Sequence, residues 1–96
     1  MRTNFTREDV REITAKELLN LQREFASEPD HPWAVRMTRI TKDLHELAGE
    51  MNPDLNRLSE LEARISALIA EDKRNKGMTP LLYMVRSLRP SGTSDI

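Results

Sequence analysis

His31 and His45 are the two imidazoles of the chain, and neither stands where metal binding or proton transfer would need it. A helical zinc site sets two ligands at i and i+4 on one face. Neither histidine has a carboxylate or a second imidazole at that spacing: His31 falls in an interhelix turn, and His45 on a solvent-facing helical position beside an apolar seam. The chain has no cysteine, which removes disulfides, thiolate metal sites and thiol nucleophiles together. Its glycines, Gly49, Gly77 and Gly92, are scattered and read as turns or caps, not as a phosphate-cradling loop. The 16 Asp and Glu residues lie along solvated helix faces, and so small a core has little room for the desolvated pocket that tunes an acid/base pair. The expectation is a protein without catalytic function and without cofactors or metals.

Charge is the next chemistry to weigh. Residues 43–72 hold two basic and eight acidic residues, whereas residues 73–89 hold five basic and none acidic. An acidic middle followed by a basic end makes the chain a charge dipole along its length. Lys73, Arg74 and Lys76 are candidate phosphate contacts, with Arg86 and Arg89 beyond them and Arg2, Arg7 and Arg11 at the other end. Against nucleic-acid binding stand a sequence pI near 6.1 and the lack of a helix-turn-helix signature: the Ser27–Pro32 turn carries two prolines and no glycine. Nucleic acid is therefore the alternative partner, and protein the first.

Four helix starts position these residues. Thr6, with Asp9 three residues on, makes a variant capping box. Val10, Ile13, Leu18, Leu21 and Phe25 then share one face, predicting a helix from about 7 to 26. Asp30 can cap a second helix over 32–50, with Pro32 in its first turn. Trp33, Met37, Ile40, Leu44, Leu47 and Met51 form a heptad seam along it, and Ala34, Thr41 and Ala48 beside them are small enough for a neighbouring helix to approach closely. Asn52 and Pro53 suit the start of a third helix, 53–76, and the break at Gly49–Pro53 reads as a reversal in preference to a kink. Leu58, Leu61, Ile65 and Leu68 form its stripe, while Ser59, Ala63, Ser66 and Ala70 on the opposite face read as inexpensive helix surface. Thr79-Pro80 opens a short C-terminal helix over 80–88, and residues 91–96 read as a disordered tail.

The predicted fold is thus all-α, a helical hairpin or bundle in a single domain, residues 1–90. Hydrophobic residues at 38% and aromatic residues at 4% fit helix seams better than β-sandwiches. A domain of this length buries only about two thirds of the surface its unfolded chain exposes, and the stripes of the second and third helices exceed what one partner helix covers. A homodimer pairing two hairpins is the economical completion. The C-terminal segment, Leu81, Leu82, Tyr83, Met84, Val85, Arg86, Leu88 and Arg89, is too short to stand alone. It reads as the end of the bundle or, more sharply, as an amphipathic anchor for a partner protein. No apolar run has the length of a signal or membrane segment, so the expected setting is cytoplasmic, away from membranes. The expected function is regulation, inhibition or scaffolding of a larger protein.

Overall fold

The computed structural model of the protein describes residues 4–71 and 78–89. Four helices account for most of them: α1 (Arg7–Glu24), α2 (Pro32–Gly49), α3 (Leu55–Glu71) and α4 (Thr79–Ser87). Among the described residues there is no strand. The all-α architecture and its element order are those the periodicity predicts. The tail, the last turn expected of α3, and Gly77 with the cations Lys73, Arg74 and Lys76 lie outside the described residues.

α1 starts where two orphan backbone donors are satisfied at once. The Asp9 amide donates to Thr6 Oγ1 at 3.0 Å, and the Thr6 amide donates to Asp9 Oδ2 at 3.1 Å, completing the capping box. The starts of α2 and α3 differ from expectation. His31, not Asp30, caps α2: its Nδ1 accepts from the Trp33 amide at 3.2 Å, and Pro32 fills the first helical position, where its missing N–H costs nothing. Asp54, not Asn52, opens α3, its carboxylate accepting from the Asn56 amide at 2.8 Å and its carbonyl from the Leu58 amide at 3.0 Å.

The helices run up-down-up-down. Thr14 on α1 meets His45 on α2, while Ala34 near the start of α2 lies beside Phe25 near the end of α1, so the pair is antiparallel. Ala34, Thr41 and Ala48 are all buried, and α1 with α2 is the most intimate pair in the molecule, as a small-residue stripe permits. The break at 50–54 is a reversal: Arg57 reaches Glu50 at 3.4 Å and Glu46 at 3.7 Å, and Arg64 reaches Asp43 at 3.3 Å. α4 folds back along α3, where Arg86 and Arg89 both meet Glu62, at 3.2 and 2.9 Å. The Phe5 amide donates to Ser87 Oγ at 3.1 Å and ties the end of α4 to the start of α1.

One core runs through all four helices: Val10 and Leu21 from α1, Met37 to Ala48 from α2, Leu58, Leu61 and Ile65 from α3, and Leu81, Met84 and Val85 from α4, with Met78 and Leu88 flanking the last. The heptad stripe of α2 is thereby covered within one chain, chiefly by α1 and α3. Of the apolar face that a second chain was expected to cover, Trp33 and Met51 at the ends of the α2 stripe and Leu55 at the start of α3 stay exposed. Ser59, Ala63, Ser66 and Ala70 are exposed, as a surface reading requires.

Thr41 is the misfit in this core. Its side chain is fully buried, and its hydroxyl has no hydrogen-bond partner. An unpaired buried hydroxyl costs about 1–3 kcal/mol. Thr41→Val removes that cost while keeping the branched shape, and the melting temperature is expected to rise by roughly 4–8 °C per kcal/mol recovered. Thermal denaturation followed by circular dichroism checks it; a fall in melting temperature would show that the hydroxyl has a partner.

Candidate functional site

The C-terminal segment is used inward. Leu81, Met84, Val85 and Leu88 are buried in the core, and Leu82 and Tyr83 are half-buried. Arg86 lies over the Tyr83 ring at 5.8 Å. Arg86 and Arg89, expected at the rim of an anchor, instead share the Glu62 carboxylate, and Arg89 also donates to Ser59 Oγ at 3.2 Å. The apolar face of α4 is therefore the inner face of the bundle, and its cations are partly neutralised in place.

The seam divides in the same way. Met37, Ile40, Leu44, Leu47, Leu58, Leu61 and Ile65 are buried and Leu68 is half-buried, whereas Trp33 is 37% and Met51 84% exposed. At the α1–α2 turn Phe25 gathers two rings, with His31 at 5.3 Å and Trp33 at 5.7 Å between centroids. The exposed end of the seam is thus an aromatic tip, held by the same His31 that caps α2.

From this tip an open, mainly apolar groove of about 610 Å³ runs between the helices, floored by Leu18, Leu21, Phe25 and Ala34. At Pro29 and Thr38 it joins a second depression of about 590 Å³ on the outer face of α2, bordered by Val35, Arg39, Lys42 and Glu46. Val35 is 40% exposed and Leu19, on the neighbouring face of α1, 54%. By their spacing, Ala15, Leu19, Gln22 and Ala26 form one stripe on the α1 side, without a charge. The α2 side carries Arg39 and Lys42, which make no ion pair among the described residues, while Asp43 and Glu46 are engaged by Arg64 and Arg57.

Sequence reasoning missed this surface because it followed the strongest stripes, which are the ones the fold buries. The signal was the apolar residues off the stripes, Leu19 on α1 and Val35 on the outer face of α2.

His45, expected to face solvent without a partner, is half-buried, with its Nδ1 2.9 Å from Thr14 Oγ1. That hydroxyl lies 2.6 Å from the Val10 carbonyl, to which it donates, so His45 Nδ1 carries the proton and donates to Thr14. Thr14 is fully buried on α1, and the contact pins the register of the α1–α2 pair. No group of three or more His, Asp or Glu residues among those described could hold a metal ion. Nor is any helix among the described residues long and apolar enough to cross a membrane.

Partial burial and, to a smaller degree, the neighbouring Glu24 raise the Glu17 carboxyl above its ordinary range. A carboxyl whose folded pKa is raised binds more protons in the folded state, so stability falls as pH rises from the unfolded value through the folded one. Glu17→Gln is expected to raise the melting temperature at neutral pH and to give no gain below the carboxylate range. Melting curves across acid to neutral pH read the difference; a gain that persists in acid would have another origin.

The fold and groove together define a class: an all-α protein with four helices among the described residues and an open apolar groove along its first hairpin. No protein-family model, curated protein or solved structure matches the chain.

Proposed function

We propose that this is a non-enzymatic protein-binding module, acting as a regulator, inhibitor or adaptor in the cytoplasm, and that it docks its partner on the groove between α1 and α2. One observation carries the reading: an apolar groove continuous with exposed Leu19, Val35 and the Trp33 tip, on a chain whose other large apolar stripes are consumed by its own core. Large open patches of this kind on small proteins mark interaction surfaces. Homodimers remain compatible with the reading, but they would form through exposed surface and not through the heptad seam.

The test is affinity capture from the native host, comparing the natural chain with Leu19→Asp and Val35→Asp. Both positions are exposed, so melting curves are expected to stay within about 0.5 kcal/mol of the natural chain. A specific partner is expected to be recovered by the natural protein and lost, by about tenfold or more, with either variant. Capture that is indifferent to both substitutions rejects the groove.

A nucleic-acid reading has less support. Arg86 and Arg89 are held on Glu62; Arg36, Arg39 and Lys42 make no ion pair among the described residues. Affinity for duplex DNA or for RNA that falls steeply with salt would favour it.

A further inference from the structure

We infer that the groove takes an amphipathic helix of about three turns whose edge facing α2 is acidic. The inference rests on the protein-docking reading above and names the partner's chemistry. From Ala34 to Glu46 the surface extends about 18 Å along α2 at 1.5 Å per residue, the length of a little over three helical turns. Its floor is apolar where Leu18, Leu21, Phe25 and Ala34 lie, a seat for the first anchors of a helix laid in a groove, and Val35 continues it along α2 among charged side chains.

The two walls differ in charge, and the difference fixes the orientation of the occupant. On the α1 side Ala15, Leu19, Gln22 and Ala26 present no charge and little bulk, so the occupant's edge there is apolar or small. On the α2 side Arg39 and Lys42 border the depression around Val35. The carboxylates beside them, Asp43 and Glu46, face Arg64 and Arg57 of α3, at 3.3 and 3.7 Å. Among the described residues Arg39 and Lys42 make no ion pair, whereas Asp43 faces Arg64 and Glu46 shares Arg57 with Glu50, so these two cations are the groups an acidic edge completes. A basic edge would meet Arg39 and Lys42 with like charge, so the wall selects against it.

The experiment uses the full chain and two labelled, roughly 14-residue model helices with the same leucine face, one edged with Glu and one with Lys. Fluorescence anisotropy is expected to show the Glu-edged helix binding at least about tenfold tighter. That preference should shrink with added salt and disappear in the double variant Arg39→Glu, Lys42→Glu, whose melting curve stays unchanged because both side chains are exposed. Equal binding of the two helices, lost with Val35→Asp, overturns the acidic partner while leaving the groove as a docking surface. Failure of both helices to bind, together with partner capture indifferent to Leu19→Asp and Val35→Asp, rejects the groove as well. Light scattering that shows a dimer dissociated by Val35→Asp would make a second copy the occupant and overturn the inference. Duplex DNA binding lost in the double variant would assign the cations to phosphate, with the same consequence.

Discussion

A chain ending at residue 77 is expected to lose cooperative thermal unfolding altogether. The truncation removes α4, and with it the burial of Leu81, Met84, Val85 and Leu88. At about 1.5–3 kcal/mol for each large apolar side chain, that is roughly 6–12 kcal/mol, as much as a domain of this size has in total, about 5–14 kcal/mol at the usual stability per residue. It also uncovers Leu58, Leu61 and Ile65 on α3, because α4 packs along that helix. Far-ultraviolet circular dichroism during heating is the measurement. The outcome that would sink the argument is a truncated chain that melts as sharply, and at the same temperature, as the full one; α4 would then be free to act as an anchor for a partner.

The second large effect is expected at Leu44. It is fully buried where the α2 stripe meets the rest of the core, and Leu44→Ala leaves a cavity in addition to the lost transfer energy. Such substitutions cost about 2–5 kcal/mol, which lowers the melting temperature by roughly 8–40 °C at the usual scaling for small domains. Met51 supplies the control. It belongs to the same heptad stripe but is 84% exposed, so Met51→Ala is expected to stay within about 0.5 kcal/mol. Equal losses at the two positions would mean that Met51 is covered in solution, as it would be at a dimer interface.

These two positions show why a sequence stripe is an incomplete guide. Leu44 and Met51 are one heptad apart and both apolar, and in the sequence only the break at Gly49–Pro53 separates them. Met51 lies beyond the last helical residue of α2, Gly49, in a connection that turns away from the core. The His45 position shows the same limit in the other direction. A histidine beside the seam reads as solvent-facing, until the close approach of α1 brings the Thr14 hydroxyl to its ring.

The amino-acid sequence by itself determined what depends on neighbours within a few turns: four helices, the capping box at Thr6, the break at Gly49–Pro53, and the small-residue stripe on which α1 lies. Local hydrogen bonding and 3.6-residue periodicity act over that range, and they are legible in a single chain. The tertiary structure alone decided which side of α4 faces inward, that Glu62 holds Arg86 and Arg89, and that Leu19, Val35, Arg39 and Lys42 surround an open groove. Those outcomes depend on how helices far apart in sequence compete to cover the same apolar surface. The stripes most visible in the sequence are largely hidden by the fold, and beside the groove floored by Leu18, Leu21, Phe25 and Ala34 the exposed apolar residues, Leu19 and Val35, are ones those stripes omit.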